Sequence, residues 1–255
     1  MKSIEESIAA SMDHLDPRLL PFLPYILQDW WEIGASPAAI LELVRGHAPA
    51  REQLHVLDLA CGKGAVSVRL ASKIGCRCRG VDAMEPFIAE ARRKAEEHHV
   101  SSLCVFETGD IREKVNEAGR YDVIVLAAAG PVLGSYFETL SALSRCLVAD
   151  GIIVIDDAYT EEGSTHPSVL PKDELLGQVR QAGMTLLAER VVSGLEETAE
   201  AYDRELALIR LRCGELAEKH PENAALFEQY VERQVEEYDV LKHRVVCSTM
   251  LFGRS

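Results

Sequence analysis

From residue 54 onward, short apolar runs alternate with segments that have the periodicity of amphipathic helices, and this alternation constrains the fold more than any other feature. The apolar runs are, in order, LHVLDLA, CRCRGVD, LCVFETGD, YDVIVLAAA and GIIVIDDAY. Nearly continuous apolar strands joined by helices are typical of a parallel sheet that is covered on both faces. MTLLAERVV predicts a sixth strand, a helical segment follows over about residues 197–241, and RVVCSTMLFG predicts a seventh strand.

The first 50 residues have a different pattern, which is helical throughout. The stretch SPAAILELVRG has a serine cap, a proline in its first turn and a glycine at its exit, as a short helix requires. We therefore predict an N-terminal helical cap over residues 1–49. An α/β domain over residues 50–255 follows, with a helical insertion at about 195–242.

Net charge, cysteine content and apolar runs indicate which partners and which cellular compartment the chain suits. The chain has 255 residues and a formal net charge of −14, which disfavours nucleic acid because phosphate contacts need a basic surface. Its seven cysteines show no disulfide spacing, and its N-terminus lacks the apolar core of a signal peptide. No apolar run is long enough to span a membrane. We therefore expect a cytoplasmic protein with reduced thiols and a small-molecule partner.

The stretch VLDLACGKGAVSVRLA, residues 56–71, places small residues where the first strand passes into a helix. Gly62 and Gly64 allow a ligand to lie against the backbone, although glycines also form ordinary tight turns. Asp58, at the end of the strand, needs hydrogen-bond partners if it is buried. Asp82 follows the second strand, where a carboxylate can accept both hydroxyls of an adenosine ribose. These spacings predict a ligand that contains adenosine.

Two common phosphate-binding loops do not match this stretch. The dinucleotide fingerprint requires a third glycine where Ser67 stands. A P-loop requires serine or threonine directly after Lys63, where the chain has Gly64. The stretch therefore fits neither of these two phosphate-binding loops well.

The motifs VLDLACGKG and GVDAMEPFIAEAR resemble motifs I and II of class I S-adenosylmethionine-dependent methyltransferases. ETGDIRE, YDVIVLAAAG and LSRCLVADGIIVIDD are similar to later elements of that family, so the likeness covers about residues 50–192 and 244–253. The resemblance implies a Rossmann-like seven-stranded sheet of order 3-2-1-4-5-7-6, with strand 7 antiparallel, helices on both faces and a helical lid. It also implies S-adenosylmethionine as cofactor and methyl transfer to a small-molecule acceptor by in-line displacement.

Two positions depart from the family pattern. Ala60 stands where the family usually has glycine. Residues 127–131, AAAGP, lack the Asn/Asp-Pro-Pro-aromatic signature of many members that methylate amino groups of nucleic acids. The second departure adds to the charge argument against a nucleic-acid acceptor.

The resemblance also implies roles for individual residues. Asp58 is expected to bind the methionyl amino group, Asp82 the ribose and Asp110 the amino group of the adenine. The other residues expected at the cofactor are Ala60, Cys61, Gly62 and Gly64 along its methionyl and ribose portions, Ala83, Met84 and Ile111 around the adenine, and Leu126 and Ala127 beside the sulfonium. Asp110 also suits a helix cap, and Met84 and Ile111 also suit the core.

Candidate catalytic residues follow the fifth strand, at the sheet edge where ligands bind in open α/β folds. They are Asp156, Asp157, Tyr159 and His166; of these, Asp157, Tyr159 and His166 are the residues predicted to take part in hydrogen bonding or proton transfer. We expect no metal. Catechol-type methyltransferases that use one need an acidic residue at the end of strand 4, where this chain has alanines.

The aromatic residues Tyr25, Trp30 and Trp31 can either close over the cofactor or acceptor, or dock the N-terminal helix on the domain. Residues 193–240 have a net charge of −8 from 5 Lys/Arg and 13 Asp/Glu, which indicates a solvated face or selection of a neutral or cationic acceptor. Two other functions stay open. One is a non-catalytic domain that binds or senses S-adenosylmethionine, and the other is a nicotinamide-dependent oxidoreductase.

Overall fold

A computed structural model describes residues 8, 15–117, 119–161, 163–164, 166–192 and 196–255. Part of the predicted N-terminal cap, residues 1–7 and 9–14, lies outside these described residues. Residues 193–195, at the start of the predicted insertion, also lie outside them. Among the helices that are described, none combines the length and the apolar character needed to cross a bilayer.

Seven strands of the described chain form one sheet, in the order β3-β2-β1-β4-β5-β7-β6. The strands are β1 His55–Leu59, β2 Arg77–Asp82, β3 Cys104–Thr108, β4 Tyr121–Ala127, β5 Leu147–Tyr159, β6 Met184–Val191 and β7 Val246–Arg254. β1 to β5 pair in parallel, and β7 runs antiparallel to β5 and β6. This topology confirms the predicted sheet. β5 begins earlier than the predicted residue 151, because Tyr121 already pairs with Leu147 ahead of a shift in register.

Helices connect the strands and cover both faces of the sheet. They are α1 Leu23–Ile26, α2 Pro37–His47, α3 Ala65–Ile74, α4 Glu85–Glu97, α5 Ile111–Glu117, α6 Tyr136–Arg145, α7 Lys172–Gln181, α8 Glu196–Lys219 and α9 Ala224–His243. α2 continues through Gly46, one residue beyond the predicted exit. The predicted long helical segment is interrupted by the short 3₁₀ turn Pro221–Asn223, since proline has no amide hydrogen to continue the helix.

Two apolar layers enclose the sheet, and the residues of each strand alternate between them. On β4, Val123 and Val125 pack in one layer, and Ile124 and Leu126 pack in the other. This alternation follows from the pleat of the strand, in which successive side chains point to opposite faces. At the carboxyl ends of the parallel strands, neighbouring side chains therefore lie on opposite faces of the sheet.

A third apolar cluster packs the N-terminal segment against the helical insertion. Leu23 and Ile26 on α1 are fully buried in a cluster that includes Phe227 on α9. The ring of Phe22 meets Phe227 edge-on, with ring centroids 5.0 Å apart. The chain continues from this cluster to the ends of β4 and β5, where a Cβ atom on Gly34 would lie 2.8 Å from that of Ala128.

Candidate functional site

The loop between β1 and α3 is shaped by left-handed backbone positions. Ala60, Gly62 and Gly64 have φ angles of 55°, 52° and 73°, and the amide of Cys61 donates to the carbonyl of Val81 at 3.0 Å. Glycine adopts such angles readily, whereas for an alanine they cost about 1–2 kcal/mol. Ala60 therefore holds a strained conformation at the position where the family pattern has glycine.

The two glycines of this loop have different surroundings. A Cβ atom on Gly64 would lie 2.8 Å from both Ala91 Cβ and Phe106 Cζ, so close packing of the loop requires glycine there. A Cβ atom on Gly62 would meet no atom within 4 Å. The backbone of Gly62 therefore faces open space, and this is the loop position against which a ligand can lie.

Asp82, at the end of β2, fixes the loop with both carboxylate oxygens. Its Oδ2 accepts from the amide of Gly62 at 2.9 Å, and its Oδ1 accepts from the amide of Met84 at 2.8 Å. Burial raises the pKa of Asp82 above its usual value. Each carboxylate oxygen has a further lone pair, so Asp82 can still accept hydrogen bonds from ribose hydroxyls while it holds the loop.

Asp58 is buried near the end of β1. Its Oδ2 accepts from the hydroxyl of Ser67 at 2.6 Å. Burial is the main reason that the pKa of Asp58 rises to about 7, and the charge of Asp82 adds to the increase. Among the described residues, neither carboxylate is within ion-pair distance of a lysine or arginine. When both are deprotonated, the two groups form a negative site without a countercharge, which suits a cationic ligand.

The residues expected around the adenine follow β2 and β3. Asp110 accepts from the backbone amide of Arg112 at 2.9 Å and pairs with its guanidinium, which holds the pKa of Asp110 below its usual value. Asp110 therefore begins α5, as the helix cap that the sequence also allows. Ile111 is buried in the core, Met84 packs on the third apolar cluster, and Ala83 lies in the bend before it. The cofactor roles of these residues stay predictions.

A cavity of about 30 Å³ lies between this loop and residues 27–36, which we call the strap. The cavity is lined by Trp31, Glu32, Ile33, Ala35, Asp58, Ala60, Cys61, Gly62, Lys63, Ala65, Val66 and Ala127. Pockets that hold cofactor-sized ligands have volumes of roughly 300–1,000 Å³. The cavity as it stands is therefore too small to enclose a ligand of that size, and the strap would have to shift to admit one there.

The lining includes only some of the residues predicted at the cofactor. Ala127 lines the cavity, whereas Leu126 packs in the apolar layer on the other side of the sheet, as its neighbouring position in the strand requires. Sequence reasoning missed six lining residues: Glu32, Ile33, Ala35, Lys63, Ala65 and Val66. Small and apolar side chains have no signal in a sequence that separates a cavity wall from an ordinary core position.

The aromatic residues of the N-terminal segment have separate roles. Trp31 Nε1 donates to the carbonyl of Lys63 at 2.8 Å, and the Trp31 ring stacks on His98 with centroids 4.9 Å apart. The hydroxyl of Tyr25 instead donates to Glu215 on α8 at 2.6 Å, and Trp30 packs against the third apolar cluster. Trp31 thus lies at the cavity, while Tyr25 and Trp30 dock the N-terminal segment on the helical insertion.

Two adjacent carboxylates at the end of β5 point to opposite sides of the sheet. Asp156 accepts from the backbone amide of Ser36 at 2.7 Å, and burial raises its pKa to about 6. Asp157 accepts from the hydroxyl of Tyr136 at 2.8 Å, and burial raises its pKa too. Asp156 therefore anchors the end of the strap, which the sequence did not indicate.

The three residues predicted to be catalytic, Asp157, Tyr159 and His166, are not among the residues that line the cavity. The hydroxyl of Tyr159 accepts from Lys172 Nζ at 2.9 Å, and the same ammonium pairs with Glu189 at 2.7 Å. Nδ1 of His166 accepts from the amide of Ser168 at 3.4 Å, within its own loop. Both residues thus have partners that account for their positions, and their catalytic roles stay predictions.

Known sequences place this arrangement in context. The profile of the family described as "Methyltransferase domain" matches residues 50–207. The ribosomal protein L11 methyltransferase of Dictyoglomus turgidum is 26% identical over 154 residues, which are 60% of this chain and 46% of that protein. The ubiquinone biosynthesis O-methyltransferase of Coxiella burnetii is 31% identical over 124 residues, which are 45% of this chain and 50% of that protein. The chain thus spans about half the length of these curated relatives.

A solved structure shares the fold over nearly the whole chain. It is the SAM-dependent methyltransferase of Geobacter sulfurreducens in complex with S-adenosyl-L-homocysteine. The two structures superpose with a TM-score of 0.77 at 20% sequence identity, over 94% of this chain and 99% of that one. At this level of identity the likeness concerns the fold.

Proposed function

Because the chain belongs to the methyltransferase-domain family, we propose that it transfers a methyl group from S-adenosylmethionine to a small-molecule acceptor. The observation that carries the proposal is the open backbone of Gly62 between two carboxylates without countercharge, Asp58 and Asp82. S-adenosylmethionine supplies an electrophilic methyl group on a sulfonium. Its sulfonium and ammonium charges suit a negative site.

In this proposal the chain binds the cofactor mainly through strand ends and backbone. Asp58 accepts hydrogen bonds from the methionyl ammonium, and Asp82 accepts them from the ribose hydroxyls. The remaining binding residues are Ala60, Cys61, Gly62 and Gly64 along the methionyl and ribose portions, Ala83, Met84, Asp110 and Ile111 at the adenine, and Ala127 with Leu126 at the sulfonium end. The residues present fit the cofactor in charge and in the backbone space at Gly62.

Catalysis in this proposal depends chiefly on position. Methyl transfer needs the acceptor atom in line with the methyl group, and correct placement alone supplies much of the acceleration. A base is needed only when the acceptor is protonated at neutral pH. We propose Asp157, held by Tyr136, as the group that takes this proton. Tyr159 and His166 then support the segment that follows β5.

Two properties support a small-molecule acceptor. The net charge of −14 opposes a polyanionic acceptor. The strap covers the loop, so the reacting groups would meet in an enclosed space that admits a small molecule more readily than a folded protein. The name of the Coxiella relative, a ubiquinone biosynthesis O-methyltransferase, is consistent with a small-molecule acceptor. The name of the Dictyoglomus relative makes a protein acceptor the second candidate.

The cofactor is tested by calorimetric titration with S-adenosylmethionine, S-adenosylhomocysteine and NADH. We expect micromolar affinity for the two sulfur ligands, lost in Asp82→Ala and retained in Asp150→Ala. Asp150 is an exposed carboxylate that pairs with Arg51, so Asp150→Ala is a control that removes the same charge as Asp82→Ala. Binding of NADH alone would instead indicate the oxidoreductase.

The acceptor class is tested with S-adenosylmethionine that has an isotopically labelled methyl group, incubated with a cell extract. Label in the acid-soluble fraction would indicate a small-molecule acceptor, and label in precipitated protein would indicate the second candidate. Cofactor binding with no transfer to either fraction would support a non-catalytic binding or sensing domain. Asp82→Ala is the background control, since it should abolish transfer of either kind.

A further inference from the structure

Lys63 joins the cofactor loop to the strap. Its side chain is only 5% exposed, and its Nζ donates to the backbone carbonyls of Leu27 and Trp30, the latter at 2.5 Å. In the opposite direction, the indole of Trp31 donates to the carbonyl of Lys63 at 2.8 Å. Lys63 therefore both donates hydrogen bonds to the strap and accepts one from it.

The location of these carbonyls explains why a buried ammonium is stable here. α1 ends at Ile26, so the carbonyl of Leu27 has no intrahelical donor and accepts from the amide of Trp30 at 3.3 Å and from Lys63. The ring of Phe87 lies 5.7 Å from Nζ and adds a favourable aromatic contact. If the strap leaves, Lys63 loses these carbonyl partners and must be solvated instead.

The strap is held at both ends as well as at Lys63. Near its beginning, Asp29 pairs with Arg212 on α8 at 2.7 Å. At its end, the amide of Ser36 donates to Asp156 at 2.7 Å. Between these anchors, the strap forms one wall of a cavity of about 30 Å³, roughly a tenth of what a cofactor requires. A cofactor whose methionyl end occupies this cavity therefore requires the strap and the loop to separate.

We propose that Lys63 is a positioning residue that couples occupation of the cofactor site to closure of the strap. The inference rests on the proposal that this loop lines the cofactor site. When the strap closes over the loop, the ammonium regains its carbonyl partners, so closure is favourable and a bound cofactor is retained. A cofactor then leaves only after these hydrogen bonds are broken.

The chain provides its own reporter of this motion. It contains two tryptophans, Trp30 and Trp31, and both lie in the strap, so intrinsic tryptophan fluorescence follows the strap directly. The experiment measures dissociation of S-adenosylhomocysteine by stopped-flow fluorescence in the full chain. Lys63→Met keeps the apolar stem and removes the ammonium, and we expect dissociation to become about tenfold faster because two charge-assisted hydrogen bonds are lost.

Lys73→Met is the matched control, because Lys73 is exposed in the last turn of α3 and should give wild-type rates. The melting temperature without ligand is measured in parallel. A merely structural lysine would lower that temperature and leave the dissociation rate unchanged well below the transition. Trp31→Phe keeps an aromatic ring but removes the indole donor to the Lys63 carbonyl, so it tests the same coupling if Lys63→Met does not fold, with Trp30 as the remaining fluorescence reporter.

Wild-type dissociation rates in both Lys63→Met and Trp31→Phe would overturn the inference. A ligand-bound protein whose tryptophan emission equals that of the free protein would overturn it too, because the strap would then not respond to the site. Failure of the proposed function gives a different result. In that case the wild-type protein binds neither sulfur ligand, and Asp82→Ala has no binding to lose.

Discussion

Gly62→Ala and Gly64→Ala add the same methyl group two residues apart, and the structure predicts different consequences. Both positions have left-handed φ angles, which cost alanine about 1–2 kcal/mol, offset by about 0.5–1 kcal/mol because alanine loses less conformational entropy on folding. At Gly64 the new Cβ atom would also lie 2.8 Å from Ala91 Cβ and Phe106 Cζ. Such overpacking costs about 1–3 kcal/mol more.

The expected loss in the free energy of unfolding is therefore about 1 kcal/mol for Gly62→Ala and about 3 kcal/mol for Gly64→Ala. In a chain of this size these losses lower Tm by roughly 2–4 °C and 6–12 °C, respectively. Urea unfolding followed by circular dichroism measures the difference, and unchanged m values would show that the shift in midpoint reflects stability.

Ligand binding should reverse the order of the two variants. The methyl group on Gly62 projects into the open space where we propose the cofactor lies, so Gly62→Ala should weaken S-adenosylhomocysteine binding by tenfold or more in calorimetry. The folded fraction of Gly64→Ala should bind more tightly than Gly62→Ala. Equal destabilisation of the two variants would refute the packing argument, and wild-type affinity in Gly62→Ala would refute the location of the cofactor.

Three further predictions concern individual side chains. Ala60→Gly should raise the free energy of unfolding by up to about 1 kcal/mol in urea titrations, because it relieves a left-handed alanine. The pKa of Asp58 is about 7 in the folded protein, above its ordinary 3.8, so its contribution to stability should fall as pH rises from about 4 to about 7. Over the upper part of that range the affinity for the cationic S-adenosylmethionine should rise as Asp58 loses its proton. Calorimetry in two buffers should detect the proton that Asp58 releases on binding, and Asp58→Asn should abolish this pH dependence. Tyr136→Phe removes a hydrogen bond to the Asp157 carboxylate, so the acidic limb of the kcat/KM profile should move to higher pH for an acceptor that loses a proton; an unmoved limb would contradict the role of Asp157.

Much of the architecture could be predicted because it is encoded in short stretches of sequence. The apolar runs that became β1 to β7 lie in continuous segments, and the alternation of strands with helices allows few arrangements other than a parallel sheet. The loop from Ala60 to Gly64 was recognisable because left-handed backbone requires small residues. The carboxylates Asp58 and Asp82 were recognisable by their places at the ends of two apolar strands.

The contacts around the cavity had no comparable signal. Lys63 binds backbone carbonyls more than thirty residues earlier in the chain, and a carbonyl is the same whichever side chain it accompanies. The sequence offered Trp31 and Tyr25 as equivalent aromatic candidates, yet one lies at the cavity and the other binds α8. Asp156 was a candidate at the ligand-binding edge, and the structure shows it holding the amide of Ser36.

The sequence by itself therefore determined the order of strands and helices, the glycine-rich loop and the two carboxylates beside it, because each depends on residues that are neighbours along the chain. Tertiary structure alone decided that the strap lies across this loop, that Lys63 holds it there and that the cavity beneath is small. These features depend on contacts between segments that are distant along the chain. The packing of the N-terminal segment on α8 and α9 determines those contacts, and no local sequence pattern predicts it.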